Sequence, residues 1–162
     1  MKRKILGIDP GTGILGFGVI ECERGKPLKI LDAGVISTPA HTPIENRLEE
    51  IFNGINEIIA LNSPDEVSIE KLFFTNNITT GISVAEARGV AILCAQLSKI
   101  PISEYTPLQI KQTLTGYGKA DKKQVQEMVK ITLGLNKIPK PDDAADALAA
   151  AITHYYMTNT NS

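Results

Sequence analysis

The sequence has few cysteines and no excess of charge of either sign. Its 162 residues include only Cys22 and Cys94, too few for a disulfide framework, so we expect a reducing, cytoplasmic environment. The formal net charge of -1 gives no general attraction to nucleic acid, so such a partner would require a local basic patch. No uninterrupted apolar run approaches a membrane span, and Asp9, Pro10 and Gly11 cut the first apolar run too short for a signal peptide.

The composition is that of one ordinary folded domain. Hydrophobic residues make up 43% and charged residues 22% of a chain long enough to bury a sizeable core. We find no internal repeat, low-complexity tract or linker. We therefore expect a single domain over residues 1–157 and a frayed polar tail at 158–162.

The first seventy residues predict four strands and one helix. Three apolar runs joined by short turns predict an antiparallel meander: Ile5–Asp9, Ile14–Glu23 and Leu28–Ser37. A helical period begins at Ile44 and ends before Pro64. Alternation in Glu66–Glu70 places Val67 and Ile69 on one face of a strand, with Ser68 and Glu70 on the other.

The second half predicts mostly helices. The expected elements are helix Ser83–Lys99, strand Ile100–Tyr105, a short helix from Thr106 to about Leu114, helix Asp121–Leu133 capped by Asp121, and helix Asp142–Tyr156. This order of elements predicts an α/β fold with one mixed sheet and helices packed on it.

Four acidic residues lie where their charges could meet. Asp9 and Glu70 each end a strand, although the Pro-Gly that follows Asp9 would by itself favour a simple turn. Asp143 and Asp146 share one face of an alanine-rich helix, where Asp146 would lack a partner. For Asp142 we favour helix capping and interaction with the helix dipole.

Such a carboxylate cluster predicts a metal site. Crowded carboxylates repel one another and cannot all stay ionised without a cation. Oxygen ligands suit Mg²⁺, with Mn²⁺ as a substitute, and two ions about 4 Å apart suit phosphodiester hydrolysis. His41 and His154 lack metal-ligand spacing, so we expect surface or packing roles for them.

Nearly the whole chain resembles the RuvC family of Holliday-junction resolvases, within the ribonuclease H-like superfamily. The matching stretches are ILGIDPGTGILGFGV at 5–19, SIEKLFF at 68–74, EARGVAI at 86–92, IKQTLTGYGKADKKQV at 110–125 and DAADALAAAITH at 143–154. Small departures from the family pattern occur at Gly13, Leu15 and Phe17, beside Asp9.

The resemblance implies a fold, an activity and partners. The fold would be ribonuclease H-like, with a mixed five-stranded sheet whose first three strands are antiparallel and with helices on both faces. Asp9, Glu70, Asp143 and Asp146 would be the catalytic acids and would bind two Mg²⁺ ions. The activity would be paired nicking of four-way junction DNA by a homodimer during recombination and repair. Junction-binding and branch-migration helicase proteins would be further partners.

Several residues are candidates for DNA binding. Lys111, Lys119 and Lys122 lie in and around a link at residues 115–120, where positive charge suits phosphate contacts. By resemblance, Phe73 would stack on an unpaired base and Asn77 would contact DNA, although core packing is the usual fate of such a phenylalanine.

Alternatives remain open. DPGTG also resembles the phosphate-binding turn of actin-like ATPases, but these need a duplicated core that 162 residues cannot supply. Another ribonuclease H-like nuclease, or a non-catalytic junction-binding protein, stays possible.

The row Ala87, Ala91 and Ala95 suggests a close helix contact at a dimer axis. The alternative is that this row packs on its own sheet.

Overall fold

A mixed five-stranded sheet lies at the centre of this computed structural model, which describes residues 1–71 and 77–159. The strands are β1 (Lys2–Asp9), β2 (Ile14–Glu23), β3 (Lys29–Ser37), β4 (Glu66–Glu70) and β5 (Ile102–Tyr105). Their order is β3-β2-β1-β4-β5. The first three strands pair antiparallel, while β1–β4 and β4–β5 pair parallel. The predicted antiparallel meander and mixed sheet are confirmed.

Helices cover both faces of the sheet. They are α1 (Ile44–Asn62), α2 (Ile78–Leu97), α3 (Pro107–Thr115), α4 (Lys122–Thr132) and α5 (Asp142–Asn159). One core lies between the sheet and α1 and α2, and includes Leu6 and Ile8 of β1. The other lies between the sheet and α3, α4 and α5, and includes Ile5. Because side chains alternate along a strand, Gly7 and Asp9 lie on the same face as Ile5, toward α5.

Two predicted helix boundaries were wrong. Helix α2 begins at Ile78 and not at Ser83, since the Asn77 side chain caps it by accepting a hydrogen bond from the amide of Thr80 at 3.3 Å. Helix α5 continues through Asn159, so residues 158 and 159 are helical and not part of a frayed tail. Arg3 stabilises this end by donating from Nη2 to Thr158 Oγ1 at 2.7 Å. The predicted capping role of Asp121 is confirmed, because it accepts from the Gln124 amide at 2.8 Å.

The small-residue row of α2 faces the interior. Ala87, Ala91 and Ala95 are fully buried against the sheet and α1, so the expectation that this row meets a second chain was wrong. By length and composition alone α2 could cross a membrane, with a mean hydropathy of 1.4 over 18 residues. Its buried row of alanines, however, indicates a helix that packs against the core of a domain.

Glycines let α5 lie directly on β1 and β2. A β carbon at Gly7 would overlap the carbonyl oxygen of Ala147, and one at Gly16 would overlap the carbonyl oxygen of Asp143. The Ser68 hydroxyl of β4 adds a buried hydrogen bond to the Ala150 carbonyl at 2.7 Å. Since α5 contributes mainly alanines to this contact, the helix backbone approaches the sheet closely and carries Asp143 with it.

We expect Gly16→Ala to lower the free energy of unfolding by about 1–3 kcal/mol, because the added methyl group forces α5 away from β2. The same displacement should weaken divalent-metal binding by moving Asp143. Thermal melts and metal titrations measure the two effects. Gly13→Ala is the matched control, because the nearest heavy atom to its β carbon, Arg47 Nη2, would lie 3.8 Å away. Equal behaviour of the two variants would contradict the close-approach argument.

Candidate active site

Three of the four predicted acids form one carboxylate cluster. Asp9 comes from the last position of β1, and Asp143 and Asp146 from the first two turns of α5. One carboxylate oxygen from each lies within 4.8 Å of the others. All three side chains are half-buried. The cluster exists because the glycine contact described above places the start of α5 beside the end of β1.

Glu70 joins this cluster through Asp9. It ends β4, and the pairing of Ile8 with Ile69 in the parallel β1–β4 ladder places Asp9 and Glu70 one residue further along. The charge of Glu70 is close enough to Asp9 to raise the pKa of the Asp9 carboxyl group. The predicted alternation in β4 is confirmed, since Val67 and Ile69 enter the α1–α2 core while Ser68 binds α5.

A cleft opens beside the acids and carries two of the predicted lysines. Its volume is about 280 Å³, and its walls include Glu70, Lys111, Lys122 and Asp146. Lys122 Nζ lies 3.3 Å from Asp146 Oδ2 and 3.8 Å from Asp142 Oδ2. The cleft therefore places both charge signs next to each other, as phosphate recognition beside a carboxylate metal site requires.

The family model described as crossover junction endodeoxyribonuclease RuvC matches residues 5–154. The chain belongs to the RuvC family.

Relatives and a solved structure agree with this assignment. The crossover junction endodeoxyribonuclease RuvC of Brevibacillus brevis is 53% identical over 93% of this chain and 90% of its own length. The relative from Chloroflexus aurantiacus is 50% identical over 97% of this chain and 95% of its own length. The structure of Thermus thermophilus RuvC in complex with a Holliday junction substrate superposes with a TM-score of 0.92 at 33% identity, covering 98% of this chain and 96% of that one. The ribonuclease H-like fold implied by the sequence resemblance is confirmed by this match.

Three carboxyl groups of this RuvC-family site, those of Asp9, Glu70 and Asp146, have raised pKa values. Burial, followed by the charges of Glu70 and Asp146, raises the pKa of Asp9 to about 9. Burial also raises the pKa of Glu70 and of Asp146, and Lys122 partly offsets the rise at Asp146. Although partial burial acts to lower the pKa of Lys122, the carboxylates of Asp146 and Asp142 raise it above its ordinary value. A divalent cation would relieve this repulsion, so the donor set fits a metal that prefers oxygen ligands.

The other predicted site residues lie in different places. Lys119 is exposed in the turn between α3 and α4, and Asn77 caps α2. Phe73 lies outside the described residues. Asp142 occupies the first turn of α5 as expected, but its carboxylate accepts from Lys140 Nζ at 3.1 Å, while the Pro141 carbonyl accepts the first amide bonds of the helix.

The packing role expected for His154 is confirmed. It is buried, its Nδ1 lies 2.7 Å from the Tyr105 hydroxyl, and its Nε2 contacts Glu66. Among the described residues, the candidate metal cluster therefore contains carboxylates and no histidine.

Sequence analysis missed the residues that fix the turn after Asp9. The Thr12 hydroxyl donates to Ser83 Oγ of α2 at 3.1 Å, and the Thr38 hydroxyl donates to the Thr12 carbonyl. The Thr38 amide also donates to the Gly13 carbonyl at 2.9 Å. These hydrogen bonds join residues that are far apart in sequence, and threonine and serine form no local pattern there. Their role in fixing the turn can therefore be seen only in the tertiary structure.

We expect divalent-metal affinity to rise with pH, because the metal must displace a proton from Asp9. The pKa of Asp9 is raised from 3.8 to about 9, so the metal-free folded protein keeps a proton that the unfolded chain has released. Metal-free stability should therefore fall as pH rises from about 4 to about 9, and Asp9→Asn should reduce this slope. Mn²⁺ titrations and melts at several pH values measure both. A flat affinity between about pH 6 and pH 9 would contradict the argument.

Proposed function

We propose that this chain is a Holliday-junction resolvase that nicks opposite strands of a four-way DNA junction during recombination and repair. It would act as a crossover junction endodeoxyribonuclease, as one nuclease domain, and as a homodimer. The observation that carries the proposal is the cluster of Asp9, Asp143 and Asp146, with Glu70 beside Asp9 at the end of the neighbouring strand β4. Membership in the RuvC family and the likeness to RuvC in complex with a Holliday junction support it.

The acids would hold two Mg²⁺ ions, with Mn²⁺ as a substitute. Bound there, the ions would supply an activated water and stabilise the leaving oxygen of a phosphodiester. Because the carboxylates are half-buried, fewer water molecules would compete with them for the ions, and their negative charges would attract the ions more strongly than at a fully exposed site. The chain's own residues thus position the scissile phosphate against an all-oxygen site.

Lysines would guide the DNA strand into this site. Lys122 and Lys111 line the cleft next to Glu70 and Asp146, and Lys119 extends the positive charge along the α3–α4 turn. Lys122 neutralises Asp146 at 3.3 Å in the free protein. Once a cation binds Asp146, that ammonium group becomes available to a phosphate oxygen. Phe73 and Asn77, by resemblance, would contact the bases or backbone at the crossover.

The outer face of α2 would form the dimer interface. Side chains on this face remain exposed although they are large and apolar, among them Ile82, Leu93 and Leu97, which are 53%, 49% and 60% exposed. Gly89 lies between them and leaves open space where a β carbon would stand. An apolar helix face with a glycine near its middle suits close packing against an identical helix about a two-fold axis.

Family membership also supports two wider expectations. We expect the chain to work with junction-binding and branch-migration helicase proteins of the same pathway, and to do so in the cytoplasm.

Cleavage assays on three substrates test the proposed function. A four-way junction, a plain duplex and an RNA–DNA hybrid are each incubated with Mg²⁺, Mn²⁺ or a chelator. Paired nicks on the junction alone, and only with metal, are the expected result. Preference for the hybrid would instead favour another ribonuclease H-like nuclease. Junction binding without cleavage would favour a non-catalytic binding protein.

We expect Asp9→Asn, Glu70→Gln, Asp143→Asn and Asp146→Asn each to reduce nicking by roughly 10²-fold or more, because each removes a charged ligand from the reaction centre. Junction binding should persist, since it depends on phosphate contacts. Asp142→Asn is the matched control and should cut nearly normally, because its carboxylate binds Lys140 outside the cluster. Nicking by any of the four variants at the wild-type rate would remove that acid from the site.

We expect Leu93→Glu to produce monomers and to convert paired nicks into single nicks, because a charge buried in an apolar interface is costly. Light scattering gives the mass, and a cruciform plasmid distinguishes nicked from linear product. Ile131→Glu is the matched control, because Ile131 is also an exposed apolar residue, at 63% against 49% for Leu93, and lies on α4, across the sheet from α2. A wild-type chain that stays monomeric at micromolar concentration and still cuts in pairs would refute the dimer.

A further inference from the structure

A second cavity lies on the α1–α2 side of the sheet, next to the turn that follows Asp9. It has a volume of about 410 Å³ and shares no lining residue with the catalytic cleft. Its polar lining comprises Thr42, Arg47, Thr79, Thr80, Ser83 and Glu86. One cation, four hydroxyl groups and one carboxylate therefore face a space large enough for a tetrahedral anion.

Arg47 is the central feature of this cavity. Its Nε is buried and has no hydrogen-bond partner in residues 1–71 and 77–159. The Nε of Arg88 is likewise buried without a partner in the described residues, but another nitrogen of that guanidinium pairs with Glu104, whereas the described residues give Arg47 no ion pair. A buried donor without an acceptor is unfavourable, so the charge of Arg47 is open to an external anion. The planar guanidinium is suited to an oxyanion that can accept two parallel hydrogen bonds.

The cavity is joined to the catalytic turn. Arg47 Nη2 would lie 3.8 Å from a β carbon at Gly13, so the guanidinium lies beside the turn. Ser83, which lines the cavity, accepts the Thr12 hydroxyl at 3.1 Å. Gly13 is four residues from Asp9, so the part of the turn beside Arg47 lies within about 14 Å of Asp9 along the chain. That span corresponds to a few nucleotides of one DNA strand.

We infer that this cavity, which we call the Arg47 pocket, binds a backbone phosphate of the junction DNA a few nucleotides from the cleaved bond. The inference rests on the proposed function, since it deepens the account of the substrate. Arg47 supplies the charge, and the Thr79 and Thr80 hydroxyls supply neutral hydrogen bonds to the remaining phosphate oxygens, while the Ser83 hydroxyl donates to the Thr80 carbonyl. Glu86, which also lines the pocket, weakens binding of a free anion, whereas a DNA strand is held by further phosphate contacts at the cleft.

Binding of a labelled four-way junction in chelator, where no cutting occurs, tests the pocket. Arg47→Gln should bind about tenfold more weakly, as expected for loss of a charge-assisted hydrogen bond. The slope of log affinity against log salt should also fall by about 1, because one phosphate contact is lost. Arg47→Lys should keep the slope because it keeps the charge. Arg24→Gln is the matched control, since exposed Arg24 follows the far end of β2, roughly 30 Å from Gly13.

The outcomes separate this inference from the proposed function. If the wild-type chain binds no junction, the proposed function fails and the pocket with it. If it binds, but Arg47→Gln keeps wild-type affinity, or loses affinity at an unchanged salt slope, only the pocket is refuted. If Arg47→Gln melts at a lower temperature than the wild-type chain, Thr79→Val provides the alternative test, because Thr79 is exposed and valine is nearly isosteric with threonine. Thr79→Val should weaken junction binding several-fold. Unchanged affinity of that variant overturns the inference. The inference is also overturned if inorganic phosphate raises the melting temperature of the wild-type chain but not of Arg47→Gln, while the two proteins bind the junction with equal affinity.

Discussion

The contact between α5 and the first two strands is the constraint on which the rest of the molecule depends. Glycines at Gly7 and Gly16 and alanines on the facing side of α5 remove the side-chain layer that usually separates a helix from a sheet. The backbone of Asp143 consequently lies against β2, and its carboxylate reaches Asp9 at the end of β1. A larger residue at either glycine would increase this separation, and the acids would no longer share a cation.

This close packing has an electrostatic consequence. Burial of these neighbouring carboxylates raises the pKa of Asp9, of Glu70 and of Asp146, so the metal-free cluster holds protons more tightly than ordinary carboxylates do. Lys122 neutralises part of the remaining charge. The fold therefore tolerates the cluster without metal, while a divalent cation binds best where those protons have been released. The same carboxyl groups, together with Lys122, therefore determine both the stability of the metal-free fold and its affinity for a divalent cation.

Sequence patterns predicted the parts of this structure that depend on local periodicity. Alternation along Glu66–Glu70 correctly placed Val67 and Ile69 on one strand face and Ser68 on the other, and the spacing of Asp143 and Asp146 correctly placed both on one helix face. The orientation of α2 could not be predicted this way, because Ala87 and Leu93 are both apolar and only the sheet decides which is buried. The Thr12–Ser83 hydrogen bond joins residues 71 apart, and the burial of Arg47 Nε without a partner among the described residues follows from tertiary packing.

The two faces of the sheet carry different features. The α5 face carries the acids and the cleft, while the α2 face carries the exposed apolar surface and the Arg47 pocket. The β1–β2 turn touches both, since it begins at Asp9 and its Thr12 binds Ser83 of α2. A phosphate held by Arg47 would therefore contact the same turn that fixes Asp9. DNA bound across that turn would orient the Asp9 carboxylate through packed backbone, because a turn held by hydrogen bonds to Thr38 and Ser83 has little freedom to shift independently.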